Sequence, residues 1–171
     1  MNSFSIDRNK RPGRHRLSEI FKGLSDSPAL IELMYDEKER NRVLNETIVE
    51  ITTSEGYMYV SDDDGRLVVG NAYLKEASEE ILYLDVVHEL VHVKQYHNGA
   101  DLYDSKYSYV DRPTEIEAYR LAVKEARRLG WIDLEIADYL LVDWITKEQR
   151  DRLARTLGVR IESRGRRKPR L

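Results

Sequence analysis

Apolar positions recur along this chain in two rhythms. Leu17 to Leu24 form a short amphipathic stretch. Ser27 and Pro28 read as an N-cap followed by proline at the first helical position. Leu30, Ile31, Leu33, Met34 and Val43 fall on the inward side of the helix that follows, which is predicted to run into the mid-30s or mid-40s. The rhythm then shortens. Thr47–Thr53, Tyr57–Ser61 and Leu67–Leu74 are rich in β-formers, and Asp62-Asp63-Asp64-Gly65 reads as the hairpin turn between the last two. Those acids lack the alternating ligand spacing and distal Glu of a calcium loop. A long helix is predicted from about Ala77 to His97, stopped by Asn98 and Gly99. Residues 100–112 are polar, Tyr-rich and loop-like. Pro113 opens a helix to about Leu129, another spans about Asp133 to Ile145, and a last one, capped by Thr146 and Gln149, ends before Gly158. A helix, a few antiparallel strands and then mostly helices make an α+β pattern, and no repeat or Gly/Ser linker divides it.

Composition narrows the chemistry. The chain has 171 residues, 35% of them charged, and no apolar run approaches the roughly 18–20 residues of a membrane span. The first 16 residues lack the apolar stretch of a secretory signal, so the cytoplasm is the expected compartment. Cysteine is absent, which excludes disulfides, thiolate metal sites and thiol nucleophiles and leaves His and carboxylates as metal ligands. Charge is uneven. Residues 1–16 hold five Lys/Arg against one acid and residues 160–171 hold six against one, which leaves about −12 on residues 17–159. The expected organisation is a basic arm (1–16), an acidic domain (17–159) and a basic tail (160–171). Such tails are ordinarily solvated or laid on an acidic body. Clustered Lys and Arg also suit a nucleic-acid backbone, although neither tail interleaves aromatics for base stacking.

Within the long helix stands His88-Glu89-Leu90-Val91-His92. Two histidines at i and i+4 project from one face, so both imidazoles can reach one metal ion. Glu89 is turned by about 100° and can meet a metal-activated water without taking a ligand position. Apolar Leu82, Leu84, Val86 and Val87 precede the motif. His97 falls half a turn from His88 and reads as a helix-end residue, and His15 lies in the basic arm.

A catalytic zinc ordinarily takes three protein ligands. With no third His at usable spacing, a carboxylate is needed, and the helix opening at Pro113 offers Glu115 and Glu117. Ile116, Ala118, Tyr119, Ala122, Val123, Ala126 and Leu129 cluster within about 100° of Glu115, while Glu117 points about 200° away. An acid on an apolar face costs several kcal/mol unless paired or metal-bound. Glu115 is therefore the expected ligand, the competing reading being a buried Glu paired with Arg112. Glu117 is expected on the solvent face with Arg120 or Lys124.

His88, Glu89 and His92, with Glu115 and Ala118 as a downstream E-x-x-A helix, resemble the gluzincin branch of zincin-like metallopeptidases. The resemblance covers roughly residues 66–129 and implies a zincin-like minimal metalloprotease fold: a small antiparallel or mixed sheet, an active-site helix and several C-terminal helices. It implies a Zn2+ cofactor and hydrolysis of a peptide or protein substrate by metal-activated water, with Glu89 as general base and acid. It also implies that Leu67–Asn71 is an edge strand able to hold an extended peptide. Two departures are Val91 where many members have Gly, and Tyr119 where many have Asp or Asn. The second removes an acid that orients a His ligand, leaving Asp85 and Asp111 as candidates for that task. Of the loop tyrosines Tyr103, Tyr107 and Tyr109, Tyr109 is the expected oxyanion donor, with Tyr107 next, against the alternative that they simply pack over the core. Trp131 and Trp144 sit in helical apolar patterns and are expected in the core. A different class of function remains open: a catalytically silent metal-binding regulatory module that uses its basic tails on nucleic acid or an acidic partner.

Overall fold

The computed structural model describes residues 4–161, and its first departure from expectation is the basic N-terminal stretch. It is built into the fold as β1 (Ser5–Ile6) and β2 (Gly13–Arg16). Its cations are partly engaged: Arg8 Nη1 donates to the carbonyls of Leu74 and Lys75, each at 2.9 Å, and Lys10 Nζ meets Glu19 at 3.0 Å. After α1 (Leu17–Ile20), β3 (Phe21–Lys22) pairs antiparallel with β1. Of the predicted basic tail, Arg160 donates to Asp133 through its backbone N–H and its Nε, both at 3.0 Å. Residues 162–171 lie outside the described residues.

The helix predicted from Pro28 divides in two. α2 (Pro28–Leu33) opens as expected, with the Ser27 hydroxyl accepting from the Leu30 N–H. The break at Met34–Asp36 has a local cause, because Asp36 caps a new helix, α3 (Glu37–Glu46). The buried Arg40 guanidinium then collects the carbonyls of Met34 and Tyr35 that the break leaves behind, and that of Ser25 ahead of α2.

β4 (Ile48–Thr52), β5 (Met58–Val60) and β6 (Leu67–Gly70) complete a four-stranded sheet ordered β2-β4-β6-β5. Asp62 to Gly65 form the expected hairpin turn, closed by Ser61 N–H to Arg66 O at 2.9 Å, with Gly65 at φ +72°. The expected edge strand at Leu67–Asn71 is corrected. β6 is interior, parallel to β4 in the register Val49–Leu67 and antiparallel to β5 in the register Val60–Leu67, so the exposed edge on that side is β5. All four β6 residues are buried, as expected of a strand paired on both sides. Its last residue has no room for a side chain, since a Cβ on Gly70 would lie 2.0 Å from the Gly56 carbonyl oxygen.

At Asn71 the chain turns from strand into α4 (Asn71–Glu76). α5 (Glu79–His97), capped by Ser78, then passes through the middle of the core. Leu82, Leu84, Val86, Val87, Leu90, Val91 and Val93 are all buried on it. α6 (Pro113–Arg128), α7 (Asp133–Tyr139) and α8 (Lys147–Thr156) follow, the last with the predicted Thr146/Gln149 capping box. α7 stops short of the predicted Ile145. Trp144, expected in the core, is 53% exposed, whereas Trp131 packs on the core from its margin. The class is α+β, and among the described residues no helix is long and apolar enough to cross a membrane.

Gly70→Ala forces the Gly56 backbone to move. A loss of about 1–3 kcal/mol is expected, measured by urea denaturation, and an unchanged midpoint would contradict the close approach.

Candidate metal centre

Polar residues on the buried α5 follow the helix period: Asp85, His88, Glu89, His92 and Gln95. They make one polar stripe along the apolar middle of the helix, between the charged turns at its two ends. α6 lies antiparallel against it. Tyr83 Oη donates to Glu125 at 2.5 Å, the Tyr119 ring meets the His88 ring edge-on at 4.3 Å, and Gln95 reaches the Thr114 carbonyl at 3.1 Å. This seam carries the first turn of α6, and Glu115 with it, to the histidines.

The three expected ligands converge. His88 Nε2 and His92 Nε2 are 3.0 Å apart, and Glu115 Oε2 lies 3.4 and 3.5 Å from them. Each residue is 5–6% exposed. Ligand bonds of about 2.0–2.1 Å in a tetrahedron place neighbouring donor atoms about 3.3 Å apart, so the spacing fits one small divalent cation. The chemistry of the donors agrees. The Gln95 amide nitrogen donates to Thr114 O and to Glu117 Oε2, so its oxygen faces His92 Nδ1 at 2.7 Å. An amide oxygen only accepts, hence Nδ1 carries a proton, and Nε2 is the nitrogen whose lone pair is released to a cation. Among the described residues, Glu115 Oε2 has no hydrogen-bond partner, nor do His88 Nδ1 and Glu89 Oε2. Buried polar atoms left this way are costly, and their concentration beside the two imidazoles fits the donor set of a cation site.

The electrostatics are those of a site built around a positive charge. Burial raises the Glu115 carboxyl, but the imidazoles of His88 and His92 outweigh it and hold it at about 2. Burial, and then the neighbouring His92, lower His88. Burial also disfavours charge on His92, yet Glu115 and Glu89 overcome it and raise the group to about 9. Glu89, 7% exposed, is pushed by burial to about 8, against the charge of His92 and the Val60 backbone N–H.

The other candidates separate by position. Glu117 pairs with neither Arg120 nor Lys124. It accepts from Gln95 at 2.8 Å, and Lys124 reaches Glu32 instead. Arg112 Nη1 does approach Glu115, but at 3.8 Å and on Oε1, away from the histidines. Neither acid considered for orienting a histidine does so: Asp111 pairs with Arg152, and Asp85 accepts from Tyr73 and Tyr139. That task on His92 belongs to Gln95, which the sequence reading missed although it lies three residues on, one turn along the same helix face. Tyr109 lines the same cavity as His88 and Glu89, with its hydroxyl 2.8 Å from that of Tyr119. Tyr107 is exposed, and Tyr103 donates to the Val60 carbonyl on β5 at 2.5 Å. His15 bonds the Arg11 carbonyl, far from this group in sequence. The described structure therefore contains a buried His88, His92 and Glu115 group able to hold a metal ion. No protein-family model, curated protein or solved structure matches the chain.

Purified protein is expected to bind one equivalent of zinc, and His88→Ala and Glu115→Ala to lose it, as read by metal analysis after dialysis. Retention by both variants would place the ion elsewhere. A second expectation concerns pH. The raised Glu89 and His92 each favour the metal-free fold most below their unfolded values and lose that contribution as pH climbs through about 8 and about 9. Glu115, held low, contributes above its unfolded value and loses that only as pH falls towards about 2. Metal-free protein should thus melt at lower temperature at pH 9 than at pH 6, and zinc should raise Tm more at pH 9, where it displaces fewer protons. Scanning fluorimetry at both pH values checks this, and an equal zinc shift at both would contradict it.

Proposed function

We propose that this chain is a zinc-dependent metallopeptidase of the zincin-like, gluzincin type, acting on a peptide or protein substrate. The observation that carries the reading is the convergence of three acceptor atoms, on His88, His92 and Glu115, beside a buried carboxylate one residue along the same helix. His88, His92 and Glu115 would hold the ion. Zinc bound there supplies Lewis acidity that lowers the pKa of a water and polarises a carbonyl.

The chain's own groups do the rest. Glu89 is turned off the ligand direction and is not spent on another partner through Oε2. Its affinity for a proton is raised by burial, which suits a carboxylate that takes a proton from the attacking water and delivers it to the departing amide nitrogen. Tyr109 is kept protonated by burial and then by Tyr119, so its hydroxyl is a donor at any working pH, in keeping with the oxyanion role. The sheet edge nearest the site, beside α5, is β5 rather than β6, and only its Met58 end is left to an extended substrate backbone. Val60 on that edge already serves the site, its N–H directed to Glu89 and its carbonyl accepting from Tyr103.

Glu89→Gln is expected to keep one zinc equivalent and to lower peptide cleavage by at least about 100-fold, the lower bound for a general acid-base group. Peptide-library cleavage beside metal analysis measures both. A variant that still cleaves would remove Glu89 from the mechanism. A wild-type protein that binds zinc and cleaves nothing would favour the metal-stabilised regulatory module.

A further inference from the structure

A cavity of about 290 Å3 opens beside His88 and Glu89. It falls just under the roughly 300–1,000 Å3 of small-molecule sites, a size suited to one long side chain. Asp85 lies in its wall, one turn before His88 on the same face of α5. Its two oxygens accept from the hydroxyls of Tyr73 and Tyr139. Phenols are neutral donors, so they satisfy geometry without cancelling charge, and each carboxylate oxygen keeps a lone pair. Burial raises Asp85 to about 6, with both phenols opposing it, so the group is ionised at neutral pH.

Two further acidic side chains face the same space. Glu89 offers an oxygen with no partner, on a residue 7% exposed. Asp143, at the exposed rim, accepts from Tyr57. The walls between them are aromatic. Tyr57 packs edge-on against Tyr73 at 5.1 Å and against Trp144 at 5.6 Å. Among the described residues, no Lys or Arg lines the cavity. Two aspartates among π-faces, on walls to which the described residues contribute no Lys or Arg, form a recess whose complement is positive, elongated and partly apolar. An acidic side chain meets like charge there, and a purely apolar one leaves Asp85 without a counter-charge.

The geometry points to this cavity as the subsite for a Lys or Arg side chain flanking the scissile bond. This deepens the metallopeptidase reading and rests on it for the word scissile, but occupancy can be read without turnover. Trp144 lines the cavity, so tryptophan fluorescence of the zinc-loaded full chain is titrated with N-acetyl-arginine amide and with N-acetyl-norleucine amide. The arginine probe is expected to bind at least about tenfold tighter, and Asp85→Asn and Asp143→Asn each to reduce that ratio. Asp143 is exposed, so its variant tests the charge without burdening the fold. In a quenched-peptide library, the ratio of kcat/KM for Lys or Arg over norleucine beside the cleaved bond should fall at least about tenfold in Asp85→Asn. Equal binding of the two probes, or an unchanged ratio in both variants, overturns the subsite. Selective binding of the arginine probe with no peptide cleaved keeps the subsite and overturns the peptidase reading instead.

Discussion

The antiparallel contact between α5 and α6 is the constraint on which the site depends. His88 and His92 come from one helix and Glu115 from another, 23 residues further along. Nothing local holds them together. The seam does, through Tyr83 to Glu125 at one end, the His88–Tyr119 ring contact in the middle, and Gln95 to Thr114 and Glu117 at the other. The intervening loop is tied down rather than left to slide. Leu102 and Val110 are buried, Thr114 Oγ1 donates to the Leu102 carbonyl, and Asp111 is clamped by Arg152 of α8. A one-residue shift of α6 would turn Glu115 by about 100° and break the convergence.

A central helix buried nearly all round ordinarily carries no polar stripe. Here the stripe exists and is only partly satisfied, since Gln95 and His92 satisfy each other while His88, Glu89 and Glu115 each retain an unpaired atom. Such a set holds its place only if the surrounding apolar packing over-determines it, and the residues around the stripe, from Leu82 through Val93, supply that packing. The same burial that makes the stripe costly gives Glu89 its raised proton affinity and gives the ligand group its demand for a cation. Stability and chemistry draw on one feature in opposite directions.

The parts legible in the sequence were those encoded within one or two helical turns. The His88/His92 pair, the phase that chose Glu115 over Glu117, the Ser27 and Thr146 caps and the Asp62–Gly65 turn all depend on spacing inside a single element. What escaped depends on partners distant in sequence. β6 reads as a strand from its own residues, but its interior place comes from parallel pairing with β4, which no local pattern records. The N-terminal stretch reads as a charged arm, yet Gly13–Arg16 pairs with Ile48–Ile51 and becomes the opposite edge of the sheet. Trp144 reads as core because aromatics ordinarily are. The helix expected to bury it ends at Tyr139, and the chain turns outward to the rim of the cavity.

The two histidines are held in place by different physics. His92 is oriented by a directed hydrogen bond, fixed in sense because Gln95 is itself anchored twice through its amide nitrogen. His88 has no such bond. A tyrosine ring rather than a carboxylate lies 4.3 Å from its own, and Nδ1 is left without a partner. A carboxylate there would have raised the basicity of His88 and added a fourth acid to a region that already holds Asp85, Glu89 and Glu115. The ring fixes the imidazole by shape and adds no charge. Its hydroxyl turns away to Tyr109 instead, which couples the packing of one ligand to the placement of the hydroxyl nearest the cavity. Orientation by packing on one side and by hydrogen bonding on the other is thus the arrangement that lets this acidic neighbourhood keep its two histidines in register without gathering more negative charge.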